Sequence, residues 1–534
     1  MMFYSALIPI YLGVASAALA TVVGHGDMAY GFERIEASPI LKWVPCFDYF
    51  TCSKLEVPID YSNTSLGTIG IAFIKLAGQN ATGDSKSIII NPGGPGGSGI
   101  DTLISYRSDA GKIFGEQYNF VSFDPRGVNN SGLALDCFSG NVEAKAAFTR
   151  IHRSGSTNTS STVLETQYYA TSIIGEWCNH AVQEKSPYSY YVTTPAVTRD
   201  IITYIEAEAE SSGKPRADAK LWYYGLSYGT VIGTTFAVMF PERIGRLILD
   251  GVVDAEEYYT NNWRSNIAQD DEMVASFASF CHEAGSGNCS FWGPSPENIT
   301  CRLDNIISQL EHEPVPLSGV DTNSIPTLAT SSDLKALILS AGYEPLISFP
   351  QLADVLSEFE RGNATGLGGV VQRFGGFSDA SNMIKCADTY TRNKVVTIGE
   401  WKEYVEYTTA ESRYVGDIYP IGGDTIACRG FRPNLPDSMI YQGPLPPSSN
   451  STTFPILFAS NTIDPITPIA SARRMSKGFP GSVVLTQEAV GHTVAQQGGS
   501  PCYFAHVQAY LAGIVPPSNI ICPLQNKPFR DGVI

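Results

Sequence analysis

Hydrophobic and polar positions alternate along residues 67–78, GTIGIAFIKLAG. A period of two predicts an antiparallel strand. The next apolar stretches are short and nearly continuous. SKSIIINPGGPGGSG (85–99) is a β-branched run that ends in a glycine-rich loop, and YNFVSFDPRGVNNSG (118–132) is a second run that ends in Asp124-Pro125-Arg126-Gly127. Residues 195–210 carry a helical pattern, with Thr194 as the predicted N-cap before Pro195. KLWYYGLS is the next strand, TVIGTTFAVMFPERI an apolar helix ending near Pro241, and GRLILDGVVD (245–254) one more strand. Strands alternating with helices predict a mostly parallel sheet covered by helices on both faces.

The alternation stops after Asp254. Residues 255 to about 445 show helix-like segments and leave through the proline-rich PLPPSSNSTTFP. It then resumes with PILFAS, PIASARRMSKGF, SVVLTQE and SPCYFAHVQAYLAG as strand, helix, strand and helix. The expected organisation is one α/β domain, 21–254 and 446–534, split by a largely helical cap at 255–445. Such an insertion covers the end of the sheet where loops carry function.

Composition narrows the class. With 43% hydrophobic and 16% charged residues the chain reads as globular, and 534 residues exceed one simple core. A net charge of −17 without any Lys/Arg cluster argues against nucleic acid or an anionic membrane as partner. The first twenty residues, MMFYSALIPIYLGVASAALA, read as a signal peptide. Ala18-Leu19-Ala20 fits a cleavage site, with Ala15-Ser16-Ala17 as a second choice, although the basic n-region is missing. The competing reading is an uncleaved membrane anchor.

Export agrees with two further signals. N-x-S/T sequons occur at Asn63, Asn80, Asn129, Asn158, Asn288, Asn298, Asn363 and Asn450. Eleven cysteines include the local pairs Cys46/Cys52, Cys281/Cys289 and Cys502/Cys522. These suit disulfides of an oxidising compartment better than zinc spacing. Cys137/Cys178 and Cys386/Cys428 are expected as longer links, which leaves Cys301 as a free buried thiol. The expected location is extracellular, with no membrane contact after cleavage.

Gly225-Leu226-Ser227-Tyr228-Gly229 is G-x-S-x-G at a strand-to-helix junction. This is the pattern of a nucleophile elbow, which holds a serine hydroxyl out at the top of a sheet. A serine needs a base, and the base an orienting acid. In this fold they follow in the order Ser, Asp/Glu, His. Asp464 lies just past a strand, and His492 is the histidine with both the right order and a loop position. Asp250 and Asp254 are rival acids. Tyr228 and a glycine of NPGGPGGSG should supply the oxyanion-hole amides, Gly94 first and Gly93 next. The loop lacks G-K-[ST] and G-x-G-x-x-G spacing, which argues against a nucleotide. No cofactor or metal is called for.

NPGGPGGSG, DPRG, GLSYGT, DPITP and GH stand in the order seen in secreted tripeptidyl aminopeptidase-like α/β hydrolases. The chain resembles that group, which belongs with the proline iminopeptidase-related serine peptidases, over roughly residues 43–525. PCFDYFTCSKLEVPIDY and the segment around Cys502 and Cys522 share in the resemblance. It implies an α/β-hydrolase fold and an exopeptidase releasing short peptides from free N-termini, with Ser227, Asp464 and His492 as triad. Thr493 follows the histidine where the group often has glycine, which leaves the loop's shape open. An esterase or lactonase on the same scaffold is the alternative, and a catalytically inert binding module a third reading. An exopeptidase also needs a partner for the substrate's ammonium. A carboxylate of the cap, with Asp388 and Glu411 among the choices, is expected to face the serine.

Overall fold

The structure is a computed structural model that describes residues 28–133, 135–319, 326–373 and 378–530. The signal peptide read at 1–20 lies outside them. The N-terminal edge of the sheet contains β1 (Ala37–Ser38), β2 (Val44–Cys46), β3 (Phe50–Pro58) and β4 (Thr68–Ala77). Then come β5 (Ser87–Asn91), β6 (Asn119–Phe123), β7 (Leu221–Leu226) and β8 (Ile244–Asp250). The short β9 (Val315–Leu317) and β10 (Thr327–Ala329) pair with each other inside the insertion. β11 (Leu457–Ile463), β12 (Val483–Val490) and β13 (Ile521–Cys522) complete the main sheet.

Its spatial order is β1-β3-β4-β6-β5-β7-β8-β11-β12-β13, with β2 on β3. β4 runs antiparallel to both neighbours, as its alternating pattern predicts. From β6 to β13 every pairing is parallel. The continuous apolar runs follow from burial on both faces. Ile88 and Ile90 pack with Leu226, Ile248 and Ala459, while Ile89 packs on the other side with Tyr223, Leu247 and Phe458. The fold is that of the α/β hydrolases. The β2–β3 hairpin is an element the sequence reading did not assign.

β5 is flanked by β6, which follows it, and by β7, which comes later. The chain therefore reverses its direction of travel across the sheet at β5. The loops after β5 and β7 diverge there, and such a switch point opens a crevice at the carboxyl ends of the strands. These are the glycine-rich loop and the elbow.

Between β8 and β11 the chain forms a roof. Helices that include Asp270–Ala284, Pro296–His312, Ser331–Ala341 and Pro345–Glu360 share their own core of Met273, Phe277, Leu303, Leu339, Phe349 and Leu356. A second source joins it. Phe148 and Ile174, on the helices Val142–His152 and Val163–Lys185, pack with Met383 and Phe431 of the insertion. Two disulfides, Cys137–Cys178 and Cys386–Cys428, sit in that same cluster. Closing loops of 41 and 42 residues is worth about 4 kcal/mol each in the chain-entropy account. Cys46–Cys52, Cys281–Cys289 and Cys502–Cys522 are also joined. Cys301 is free as expected, but it is exposed rather than buried. All eight sequon asparagines are exposed.

The helix predicted at 195–210 spans Thr194–Ser211, and Thr193, not Thr194, is its N-cap. Thr194 instead uses its hydroxyl on Asp388 and Tyr228. Among the described residues no helix is long and apolar enough to cross a membrane.

Candidate active site

β7 ends at Leu226 and the helix Tyr228–Met239 begins two residues later, so Ser227 must turn the chain by itself. It does so at φ 55° and ψ −123°, a region a side chain rarely occupies and one found where strain serves a site. The elbow's two glycines give this turn room. A Cβ on Gly225 would lie 2.4 Å from the Gly229 carbonyl oxygen, and one on Gly229 would lie 2.8 Å from that of Asn91. The Ser227 amide donates to the Asp250 carbonyl at 3.0 Å, and Thr230 closes the first turn from the other side.

The glycine-rich loop packs directly on the elbow. A Cβ on Gly93 would meet the Leu226 carbonyl at 2.4 Å and the Tyr228 nitrogen at 2.8 Å, so only glycine allows this approach. The Gly93 amide is spent on Asn91 Oδ1 at 3.0 Å. Among the described residues, the amides of Gly94 and Tyr228 have no acceptor. Tyr228 opens its helix, where N–H groups are unpaired by construction. These two are the amides available to an oxyanion, and Gly93 is not. Asp124 of the DPRG segment secures the loop's far end. It accepts from Ser98 Oγ at 2.7 Å and from the Ile100 amide at 3.3 Å. Arg126 pairs with Asp200 deep in the core and serves the scaffold.

His492 lies in the loop after β12. Its Nδ1 is 3.1 and 3.2 Å from the carboxylate oxygens of Asp464, just after β11. Asp464 is fixed by the amides of Ile466, Thr467 and Thr493 and by the Thr467 hydroxyl. That hydroxyl also lies 3.1 Å from His492 Nδ1. Thr467 was not singled out from sequence; its place three residues after the acid was the available signal. His492 Nε2 is buried and has no hydrogen-bond partner, so Ser227 and His492 are not bonded to each other in this state. Unliganded sites often close that contact only with substrate. Thr493 takes φ 58° where the resembled group often has glycine, and its amide on Asp464 holds the turn.

The rival acids have other work. Asp250 turns its side chain to the amides of Val494 and Ala495 and to Tyr224, away from the imidazole. Asp254 caps the helix Ala255–Thr260 and pairs with Arg474. The cap reaches the site through Tyr343. Its carbonyl accepts the His492 amide at 3.2 Å and its ring packs edge-on against the imidazole.

Ser227 opens onto a cavity of about 500 Å³ under the roof. Its walls include Gly94–Gly97, Trp263, Asn266, Tyr343, Tyr419 and Lys385. No Asp or Glu is among the described lining residues. The expected cap carboxylates therefore do not face the serine. Asp388 is buried beneath Tyr228 and is taken up by Thr194 and Tyr258, and Glu411 is exposed at the end of its helix. The physical reason is that a cap carboxylate finds hydroxyl and amide donors of its own. Asp270 is different. It is fully buried, neither oxygen has a hydrogen bond, and burial holds its carboxyl well above the usual range. Cys502, His506 and Cys522 also bring metal-ligand atoms together, but the two sulfurs are bonded to each other.

Residues 428–522, which carry Asp464 and His492, match the family described as TAP-like protein. Serine protease Hip1 of Mycobacterium tuberculosis is 27% identical over 542 residues, covering 95% of this chain and 96% of that protein. Tripeptidyl aminopeptidase of Streptomyces lividans is 27% identical over 223 residues, 41% of this chain and 38% of the relative. Carboxylesterase B of Mycobacterium tuberculosis is 22% identical over 513 residues, 91% of this chain and 90% of the relative.

Proposed function

We propose that this serine hydrolase of the α/β-hydrolase fold is a secreted exopeptidase that releases short peptides from free N-termini through an acyl-enzyme on Ser227. One observation carries the reading most. The serine of a strained elbow and the residues of two unengaged amides, Gly94 and Tyr228, line a roofed cavity of about 500 Å³, and an Asp–His pair touches Tyr343 and Thr467 of its wall. That volume suits a ligand of a few residues, not a segment of a folded protein.

The chemistry follows from the geometry. Ser227 Oγ attacks the scissile carbonyl carbon, and His492 Nε2 takes its proton. The carbonyl oxygen gains negative charge and is met by the amides of Gly94 and Tyr228. Asp464 keeps the imidazole in the tautomer that leaves Nε2 free and stabilises the imidazolium. The proton passes to the leaving nitrogen, and the amine departs. Water, deprotonated by His492, then cleaves the ester and restores Ser227. Trp263, Tyr343 and Tyr419 of the cavity wall offer aromatic rings to the substrate's ammonium.

The second reading is an esterase or lactonase acting on a small molecule. The relative named Carboxylesterase B favours it, and acyl transfer to serine is common to both. Free and N-blocked peptidyl p-nitroanilides, assayed beside short-chain p-nitrophenyl esters, decide between them. Turnover that requires a free amine supports the peptidase; turnover of esters alone supports the esterase.

A further inference from the structure

The helix Asp379–Thr389 borders the same cavity as Ser227. Ser378, Ser381 and Lys385 lie along one face of it, at spacings of three and four, and all three line the cavity. Its first turn touches the oxyanion loop: a Cβ on Gly96 would stand 3.1 Å from the Ser381 nitrogen. Lys385 is therefore mounted on an element in direct contact with the catalytic loop.

Lys385 is only 5% exposed, and it is the only residue with an ordinarily charged side chain among the described lining residues. Its Nζ donates to the carbonyls of Gly423 at 2.7 Å and Asp424 at 3.1 Å. An ammonium has three donors, so among the described residues one has no acceptor. Among the described residues, the carboxylate oxygens of nearby Asp424 take their hydrogen bonds from other side chains. Asp424 is held by Arg153 at 2.9 Å and lies 3.0 Å from His152 Nε2. A buried ammonium with an open donor is costly unless an acceptor reaches it, and an anion is the strongest acceptor. The N-terminus of the Asp379–Thr389 helix adds positive potential at the same wall.

We infer that Lys385 is the carboxylate-binding residue of the cavity, holding a carboxylate of the substrate while Ser227 attacks its acyl carbon. Within the peptidase reading, on which this identity of the substrate rests, that carboxylate is either the C-terminus of a short peptide or an acidic side chain. The cavity then selects small anionic or zwitterionic substrates, which a purely apolar pocket would reject.

Matched substrates test this on the mature protein and on Lys385→Met. One pair is a short peptide as free acid and as C-terminal amide. A second places Glu or Gln inside the amide. A third compares 4-nitrophenyl hemiglutarate with 4-nitrophenyl pentanoate. The expected result is a preference of ten-fold or more in kcat/KM for the carboxylate partner, expressed mainly in KM. It should collapse towards one in Lys385→Met. Acid over amide alone identifies the C-terminus; Glu over Gln alone identifies a side chain. Equal rates within every pair, or a preference that survives in Lys385→Met, overturns the assignment. If no peptide is cut but esters are, the peptidase reading fails, and the hemiglutarate pair still decides for or against Lys385. Should the variant not fold, the wild-type preference is compared at pH 6 and pH 9.5. Ratios within a pair cancel the triad's ionisation, so a preference that does not shrink at the higher pH overturns the assignment.

Discussion

Asp250 grips Val494: its Oδ1 accepts the Val494 amide at 2.8 Å, two residues beyond His492. The Asp250 carbonyl, in turn, accepts the Ser227 amide at 3.0 Å. One residue at the end of β8 thereby ties the elbow to the histidine loop. In the proposed mechanism it positions both loops, and Asp464 is the acid of the triad.

Asp464→Asn and Asp250→Asn should separate these roles. The first removes the partner of His492 Nδ1 and should lower kcat by about 10³–10⁴ with little change in KM. The second loosens the loop and should cost about 10–100-fold, together with a lower Tm. Circular dichroism melts beside steady-state kinetics are the measurement. Equal losses in kcat at unchanged Tm would make Asp250 the acid.

Ser227→Ala should fold normally and lose several orders of magnitude in rate, because the covalent step disappears. A fluorophosphonate probe should label the wild type at Ser227 and leave the variant unlabelled. Normal turnover in the variant would refute the elbow assignment.

Burial raises Asp388 to about 6, against the hydrogen bonds of Thr194 and Tyr258, and raises Glu257 to about 7, against those of Ser265. Each folded-state carboxyl thus holds its proton where the unfolded one has lost it. Stability from these groups is fully present below about pH 4 and is lost as pH rises through 6 and 7. For Asp388 a rise of about two pH units corresponds to about 3 kcal/mol. Asp388→Asn should therefore flatten part of the fall in Tm between pH 4 and 7. An unchanged profile would show that Asp388 is ionised without penalty.

Alkylation of the folded protein without reductant should modify one thiol, Cys301, since the other ten cysteines are bonded and Cys301 is exposed. Secreted from a glycosylating host, the chain should start after Ala20 and lose mass on deglycosylation, because all eight sequon asparagines are accessible. Recovery as an unprocessed chain with every cysteine reactive would count against export.

N-acetylation of a good peptide substrate should cost ten-fold or more in kcat/KM, near 1.4 kcal/mol. Free and acetylated peptides cut alike would remove the requirement for an N-terminus.

By itself the sequence determined whatever depends on neighbours along the chain. β-branched runs between turn signals marked β5, β6 and β7. A serine between glycines at a strand end marked the elbow, and chain order picked out Asp464 and His492. These are short-range signals, in which backbone preference and spacing carry the information. Only the tertiary structure decided what depends on residues far apart in sequence. It separated Asp250 from Asp464, because both are acids just after a strand and differ only in which amides they face. It left Gly94 and not Gly93 with a free amide, because Asn91 folds back on one of them. It buried Asp388 away from the serine and brought Lys385 to the cavity, although both belong to one helix. Which face of that helix meets the elbow is set by packing against segments more than a hundred residues away, and no local pattern encodes it.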